Sequence, residues 1–304
     1  MPVTVVRGGV PESSHQVHVA VSDASGRLLA WHGDPDRPTT MRSSAKPLQA
    51  DPLVHSGALE AFGIDDETLA VCCASHAGLD VHVAAVQRGL EAAGLTADAL
   101  RNSSGSAEDR LRHNCSGNHL AFLALSAFRG WEIDTYREPG HPSQLAALSA
   151  VAAAAGVPEE DIPLCTDGCG VVCFTLPLTV IASIYARLEQ LVPRQAAAMR
   201  AHPVMIAGPE DLDTELPQAL EGAVSKGGAE GLGCVSLPGG LGVAVRVEDG
   251  AWRAVEPAVM EVLAQLLGWR EEPAALSRFR RPPLRNSPGD VVGFLHADVP
   301  LMRS

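Results

Sequence analysis

The pattern of apolar and polar residues predicts strands near both ends of the chain. Val17, Val19 and Val21 alternate with polar or small residues, as in a strand that buries one face. A short apolar run at residues 68–74 predicts a buried strand. Further segments with strand character are residues 28–31, 232–237 and 241–247.

Helices are predicted mainly between these strands. They cover residues 81–93, 120–125, 143–155, 176–191 and 255–267. Because strands lie at both ends and helices mainly between them, the order favours a mixed α/β sandwich with an antiparallel sheet over a doubly wound sheet. The chain shows no internal repeat, low-complexity tract or clear linker, so a single catalytic domain over residues 1–304 is expected.

Charge and composition argue against several classes of protein. The formal net charge of -13 disfavours a nucleic-acid partner or an anionic membrane surface, since both need a basic patch. No apolar run approaches the roughly 20 residues that span a bilayer, and residues 1–7 do not resemble a secretory signal. Seven cysteines, an odd number in a long chain, do not suggest a disulfide framework. We therefore expect a cytoplasmic protein with reduced thiols.

The segment Arg42-Ser43-Ser44-Ala45-Lys46 contains a Ser-x-x-Lys pattern that opens a predicted helix. Ser43 and Lys46 are three residues apart, so their side chains share one face of that helix. A neutral lysine can take the proton of a neighbouring serine and make it a nucleophile without a histidine. The pattern is short, and by itself it is more often a solvated first turn.

Polar residues flanked by glycine form four further clusters, at residues 75–78, 113–119, 167–170 and 225–231. Glycine lets the backbone approach a small ligand closely and offer N–H donors. Each cluster also has a structural interpretation. His76 is equally consistent with a turn histidine, Lys226 in a glycine-rich turn is ordinarily solvated, and free cysteines are usually core thiols.

Histidine, cysteine and aspartate side chains in the second and third clusters have the chemistry of zinc ligands. They are His113, Cys115, His119, Asp167 and Cys169. Their spacing is not that of a zinc finger or of a zinc deaminase. A nucleophile pair of Cys115 and His119 is a further option, but it lacks a local protease signature.

Five motifs follow one another along the chain: Arg-Ser-Ser-Ala-Lys-Pro, Ala-Ser-His-x-Gly, His-Asn-Cys-Ser-Gly-x-His, Asp-Gly-Cys-Gly and Lys-Gly-Gly-x-Glu-Gly. In this order they resemble the asparaginase II family, the rhizobial-type L-asparaginases. The resemblance runs from about residue 5 to near residue 300. It implies an α/β fold similar to serine β-lactamases and glutaminases, usually a homodimer, that hydrolyses L-asparagine to L-aspartate and ammonia.

The resemblance also implies which residues are catalytic. The active site of this family pairs two serines with two lysines. The corresponding positions here are Ser43 with Lys46 and Ser75 with Lys226. All four residue types are present, as the family's chemistry requires.

A zinc site beside these residues is implied in the same way. In the family it uses a cysteine and a lysine of the third motif with an aspartate and a cysteine of the fourth. The sequence has Cys115, Asp167 and Cys169 at three of these positions, but Asn118 replaces the lysine. Because a neutral amide oxygen is a poor zinc donor, Zn2+ is a candidate cofactor whose affinity Asn118 weakens. No organic cofactor is expected.

These residues predict an amidohydrolase that acts on a small side-chain amide, L-asparagine first, through an acyl-enzyme. Ser43 is the first choice of nucleophile, with Lys46 taking its proton. Ser75 and Lys226 would relay protons to the departing ammonia. Further candidates are backbone N–H groups at the start of the Ser43 helix or at Gly227 and Gly228 for the oxyanion, and Arg42, His76 and His119 for the charged groups of the substrate.

Two other functions remain open. One is a serine hydrolase of another small amide, such as glutamine or a β-lactam, although the Ser-Asp-Asn and Lys-Thr-Gly motifs of penicillin-recognising enzymes are absent. The other is a non-catalytic homologue that binds zinc or an amino acid, consistent with Asn118. The two serines and two lysines argue against it, because a dead site has no physical need for them.

Overall fold

Strands lie near both ends of the chain and helices fill most of the sequence between them. A computed structural model describes residues 3–304. The strands are β1 (Val3–Arg7), β2 (Val10–His15), β3 (Val17–Asp23), β4 (Leu28–His32), β5 (Pro38–Thr40), β6 (Leu164–Thr166), β7 (Val172–Pro177), β8 (Val224–Gly228), β9 (Leu232–Leu237), β10 (Leu241–Val247), β11 (Pro283–Arg285), β12 (Val291–Ala297) and β13 (Met302–Arg303). The predicted mixed α/β fold with antiparallel sheets is confirmed.

The α-helices are α1 (Lys46–Gln49), α2 (Asp51–His55), α3 (Ala58–Phe62), α4 (Asp66–Cys72), α5 (Asp80–Ala92), α6 (Ala107–Arg112), α7 (Ser116–Arg129), α8 (Pro142–Ala155), α9 (Leu178–Ala186), α10 (Leu188–Leu191), α11 (Pro193–Ala201), α12 (Leu212–Ala219), α13 (Val255–Leu267) and α14 (Ser277–Arg280). Within residues 3–304, none of the helices combines the length and the apolar character that crossing a bilayer requires.

The described chain groups into two compact units. The first contains residues 3–39, Pro177–Arg187 and Glu215–Ser304. The second contains Thr40–Leu176 and Leu188–Thr214, so each unit is assembled from separate stretches of sequence.

The first unit is built on a six-stranded sheet in the order β13-β4-β3-β10-β9-β8. At its centre β3 and β10 are antiparallel, with Val19 opposite Val245. Both valines are fully buried, so the alternation along β3 marks the face that packs into the core. A second sheet has the order β11-β12-β1-β2. The predicted strands at 232–237 and 241–247 and the helix at 255–267 are confirmed with these bounds.

Helix α9 packs on this sheet at a glycine. A Cβ atom at Gly242 of β10 would lie 2.0 Å from Ala182 O and 2.2 Å from Ala186 N. Because only glycine lacks that atom, the backbone of α9 can approach the strand closely. The helix predicted over 176–191 is interrupted after Ala186 and resumes as α10.

The second unit is mainly helical. Helix α4 packs against α5, α7 and α11, and α8 packs against α1 and α2. In α7 every residue from Ser116 to Ser126 is buried. A helix that is buried all round lies in the core, so α7 is the central helix of this unit. The antiparallel pair of strands β6 and β7 accompanies the helices.

Residues 68–74 do not form the predicted strand, because α4 occupies most of them. The Asp65 side chain caps this helix by accepting a hydrogen bond from Thr68 N at 2.8 Å. Asp66 and Glu67 in the first turn interact favourably with the helix dipole. The prediction was wrong because a short apolar run looks the same in a strand and in a buried helix, and the acidic residues before it were the helix-start signal.

The Ser-x-x-Lys segment is a series of short helices. Arg42–Ala45 form a 3-10 helix, and α1, α2 and α3 follow it. Pro47 and Pro52 lie in the first turns of α1 and α2, where a missing N–H group leaves no hydrogen bond unmade. Lys46 therefore begins a helix, immediately after the turn that carries Ser43.

Candidate active site

The Lys46 amine is the centre of the candidate site. Lys46 is only 3 % exposed. Its Nζ lies 2.6 Å from Ala74 O, 3.1 Å from Ser75 Oγ and 3.3 Å from Cys115 Sγ. Among the residues that the structure describes, these three atoms are the hydrogen-bond partners of the amine. The Lys46 amine is therefore hydrogen-bonded to the side chain of Ser75 and not, as expected, to the side chain of Ser43.

Ser75 lies in the segment that follows α4, and backbone hydrogen bonds hold this segment in place. Ser75 N donates to Ile206 O at 2.9 Å, and Ala77 N donates to Ala207 O at 2.7 Å. Both acceptors belong to the later stretch of sequence that completes the second unit. Ser75 itself is half-buried, so the loop presents a fixed serine next to a buried amine.

Arg42 and Ser43 form the turn before Lys46. Arg42 has a φ of 48°, in the left-handed region that non-glycine residues seldom adopt outside functional sites. Its Nε donates to Asp167 Oδ2 at 2.8 Å, and its Nη2 donates to Oδ1 at 3.4 Å. Arg42, predicted above to bind a charged group of the substrate, thus forms an ion pair within the protein.

Asp167 accepts hydrogen bonds from three residues. Besides Arg42, the Cys173 thiol donates to its Oδ2 at 3.0 Å and Cys169 N donates to its Oδ1 at 3.4 Å. Burial alone would raise the pKa of Asp167, but the hydrogen bonds from Arg42 and Cys173 outweigh burial and lower the pKa to about 2. The carboxylate is therefore charged, and its charge is already paired.

The Cys115 thiol lies 3.3 Å from Lys46 Nζ and 3.4 Å from Asn114 Oδ1, and Cys169 lines the same cavity. Interaction with the Cys169 thiol, together with the positive charge of Lys46, lowers the pKa of Cys115 although burial opposes it. Interaction with Cys115, and burial, raise the pKa of Cys169. Cys115 is therefore the more acidic of the two thiols.

The three predicted zinc ligands line one cavity, but the ion pair at Asp167 opposes a bound cation. Asp167 is bound by the Arg42 guanidinium, whose positive charge would repel a second cation. Asn118 contributes a neutral amide where the family resemblance places a lysine. Within residues 3–304, no three His, Cys, Asp or Glu side chains are arranged to hold a metal ion. The residues are those that the sequence predicted, and the ion pair between Arg42 and Asp167 is the contact that it did not predict.

His76 is buried, and both of its ring nitrogens are used inside the protein. Its Nδ1 accepts from Gly78 N at 3.0 Å, and its Nε2 lies 2.9 Å from Ser116 Oγ. Because Ser116 Oγ donates its own proton to Leu111 O, Nε2 is the donor to Ser116. These contacts favour a role in holding the Ser75 loop over the predicted contact with substrate.

His119 is fully buried in α7. Its Nδ1 lies 2.5 Å from the Tyr136 hydroxyl, which also accepts a hydrogen bond from Arg101 N at 3.0 Å. The ring is therefore anchored in the core, away from the expected substrate role. The sequence does not predict Tyr136 as the partner of His119, because Tyr136 belongs to the segment after α7 and not to the helix that carries His119.

The two buried histidines should make the protein sensitive to acid. Burial lowers the pKa of His76 and of His119 to about 3, from an ordinary value of 6.5. As the pH falls below about 6.5, the two histidine rings are therefore protonated in the unfolded chain but stay neutral in the native state. We expect the free energy of unfolding to decrease from about pH 6.5 towards pH 3, by about 1.4 kcal/mol per pH unit for each ring. Urea unfolding at a series of pH values measures this slope.

A matched pair of variants assigns the slope to the buried rings. His76→Gln should make the free energy of unfolding less dependent on pH. His296→Gln, at an exposed position of β12, should leave the dependence unchanged. A free energy of unfolding that stays constant between about pH 6.5 and pH 4.5 would contradict the role given to these histidines.

Lys226, Gly227 and Gly228 belong to the first unit and lie in strand β8, not in the expected glycine-rich turn. Lys226 is 1 % exposed, so it is not a solvated lysine, and its Nζ donates to Gly227 O at 2.8 Å. A Cβ atom at Gly227 would lie 2.3 Å from the Trp252 ring, which accounts for the glycine. The catalytic role of Lys226 and the oxyanion role of the two glycines stay predictions.

A small cavity lies beside Lys46, with about 10 Å³ open to the centre of a water molecule. Its polar lining includes Ser43, Lys46, Cys115, Asn118, Asp167 and Cys169. Asn118 is fully buried, and among the described residues neither its Nδ2 nor its Oδ1 has a hydrogen-bond partner. The sequence identified the asparagine in place of lysine, but it carried no signal that the amide would be unpartnered.

A family profile agrees with the motifs, among three comparisons with known proteins. The profile of a family described as L-asparaginase II matches residues 3–297. The comparison with curated proteins found no significant match. Similar solved structures are Mglu in its L-glutamate-binding form at 4.3 M NaCl, with 14 % identity and a TM-score of 0.43, and native Mglu, with 15 % identity and a TM-score of 0.42. Each alignment covers 84 % of this chain but only 61 % and 64 % of the respective Mglu chains. Because the family profile spans nearly the whole sequence, the chain belongs to the L-asparaginase II family, a family of amidohydrolases.

Proposed function

We propose that the protein hydrolyses L-asparagine to L-aspartate and ammonia through an acyl-enzyme on Ser75. Family membership supports amide hydrolysis. The observation that carries the mechanism is the buried Lys46 Nζ at 3.1 Å from Ser75 Oγ. A general base must lie within about 2.6–3.2 Å of the group whose proton it removes, and this pair satisfies that requirement. The contact favours Ser75 over Ser43, the nucleophile first expected.

The three partners of Lys46 Nζ can all accept hydrogen bonds, so they hold the amine in place. To act as a general base Lys46 must be a neutral amine, whose two N–H groups would donate to Ala74 O and Cys115 Sγ while its lone pair takes the Ser75 proton. When the proton that Lys46 shares with Cys115 lies on the sulfur, the amine accepts the proton of Ser75. The same contacts hold the amine in place while it does so.

In the first half-reaction Ser75 Oγ attacks the side-chain amide carbon, and its proton passes to Lys46. A C–O bond forms and the carbonyl oxygen takes the negative charge. The intermediate then collapses, the C–N bond breaks, and Lys46 returns the proton to the nitrogen, which departs as ammonia. The product is an aspartyl ester on Ser75, which water hydrolyses.

Ammonia release from the purified protein tests this proposal. We expect release from L-asparagine with a higher kcat/KM than from L-glutamine, and none from L-aspartate. Acid quenching during turnover, followed by peptide mapping, should find the acyl group on the peptide that contains Ser75. An acyl group on the Ser43 peptide would overturn the assignment of the nucleophile. A folded protein that releases no ammonia from either amide would overturn the activity itself.

A further inference from the structure

Asn118 has an amide that the protein itself leaves unsatisfied. It lies in the first turns of α7, is 0 % exposed, and has no hydrogen-bond partner for Nδ2 or Oδ1 among residues 3–304. Leaving a buried polar group unpaired costs about 1–3 kcal/mol. Native proteins usually satisfy such groups with ordered water or a ligand. The amide therefore marks a binding position.

The cavity beside this amide has the size and polarity of a water site. Its volume of about 10 Å³ for the centre of a water molecule is close to the minimum that one ordered water needs. A buried water also needs two to four polar partners. Asn118 offers both a donor and an acceptor, and Ser43 and Lys46 line the same cavity.

Lys46 connects this cavity to the proposed nucleophile. Its amine contacts Ser75 Oγ, and the residue also lines the cavity that Asn118 faces. A water bound by Asn118 would therefore share a cavity with Lys46, the base that the second half-reaction needs. We propose that Asn118 binds and orients the water that hydrolyses the acyl-enzyme. This inference rests on the proposed function.

The proton transfers of the second half-reaction then need only the bound water, Lys46 and Ser75. The oxygen of the bound water attacks the ester carbon on Ser75, while Lys46 takes one of the water protons. The C–O bond to Ser75 breaks, Lys46 gives the proton to Ser75 Oγ, and L-aspartate leaves. The Asn118 Oδ1 accepts the other water hydrogen, so a lone pair of the water points away from the amide.

An asparagine at position 118 can accept a hydrogen bond from the water, whereas a lysine cannot. An ammonium group only donates hydrogen bonds, so it can bind the water oxygen but cannot accept a water hydrogen. A carboxamide does both, and it adds no charge beside the Arg42–Asp167 ion pair. The replacement at position 118 therefore changes what the cavity can hold.

Competition between water and hydroxylamine tests the role of Asn118. Hydroxylamine is itself a nucleophile, and because Ser75 is half-buried we expect it to reach the ester and give aspartyl hydroxamate without the bound water. In Asn118→Leu, which keeps the size but removes the polar atoms, we expect aspartate formation to fall about 100-fold. Hydroxamate formation should persist, so the ratio of hydroxamate to aspartate rises. The acyl-enzyme should also accumulate as a covalent adduct in the mass spectrum.

Asn102→Leu is the matched control, because Asn102 is a second buried asparagine whose Oδ1 has no partner in the described chain. Asn102 does not line the cavity, so the ratio of hydroxamate to aspartate that Asn102→Leu forms should equal that of the wild type. If Asn118→Leu does not fold, Asn118→Ala adds no bulk and should show the same rise in the ratio.

The outcomes separate this inference from the proposed function. A wild type that forms aspartate and hydroxamate, with an unchanged ratio in the Asn118 variant, overturns the role of Asn118 alone. One zinc ion per chain in the purified wild type, measured by plasma mass spectrometry, would also overturn it, since the metal would then bind the water. A wild type that forms neither product overturns both.

Discussion

Lys46→Met is expected to lower kcat for ammonia release by about 10⁴-fold. Methionine has nearly the length of lysine and remains compatible with burial, but it cannot accept the Ser75 proton. The substitution also leaves Cys115 Sγ and Ala74 O without the amine they contact. Steady-state ammonia release over a range of L-asparagine concentrations measures the loss. Thermal unfolding shows whether the variant is folded.

Two variants test whether the loss is due to the missing base. Lys46→Arg keeps the positive charge but cannot take a proton at neutral pH, so it should be as inactive as Lys46→Met. Ser44→Ala alters the same motif at a hydroxyl that donates to Met41 O, and its kcat should stay within about twofold of the wild type, with a stability loss of about 1 kcal/mol. An arginine variant that keeps most of the activity would show that only the charge is needed.

The same loss is expected for Ser75→Ala, and the two effects should not add. Groups that act as one unit each cost nearly the full effect when removed singly. The double variant Lys46→Met with Ser75→Ala should therefore be no slower than either single variant. An additive double variant would mean that Lys46 and Ser75 act in separate steps.

Gly117→Ala is expected to destabilise the protein by about 3 kcal/mol or more. Gly117 lies in the first turn of α7, where a Cβ atom would be 1.9 Å from Val71 O and 2.5 Å from Val71 C of α4. Both contacts are with backbone, which cannot turn aside as a flexible side chain would. Helix α7 would have to move away from α4, and Cys115 and Asn118 would move with it. Urea unfolding followed by circular dichroism measures the loss.

Gly140→Ala provides the control for this substitution. A Cβ atom at Gly140 meets nothing within 4 Å, and its φ lies outside the left-handed region. Its unfolding free energy should therefore stay within about 0.5 kcal/mol of the wild type. Equal stabilities for the two variants would show that α4 and α7 can separate at little cost. In that case the close approach of their backbones would not determine the position of the site.

Local patterns predicted the parts of this protein that depend on neighbouring residues. The strands β9 and β10 and the helix α13 follow from periodic burial along one element. The motif at residues 42–46 likewise pointed to Lys46 as a chemical centre. In contrast, the helix α4 was missed because a short apolar run does not distinguish a helix from a strand.

The partners of the site residues could not be predicted, because they come from packing between elements. Lys46 meets Cys115 and Ser75 only because α1, α7 and the loop after α4 converge. Ser116 as partner of His76 arises in the same way. The Asn118 amide lacks partners because of how other elements pack around α7. The spacing of residues along the sequence does not predict that packing.

The hydrogen bond from Ser75 N to Ile206 O joins the proposed nucleophile to a residue that is synthesised much later. The ribosome releases the Ala-Ser-His-x-Gly motif long before Ile206 and Ala207. Until these two residues emerge, the loop that carries Ser75 lacks the carbonyl groups that hold it. A nascent chain therefore carries the whole Ser-Lys motif before Ser75 is held in place. On the proposed mechanism, we expect turnover only after Ile206 and Ala207 have emerged and the second unit has folded.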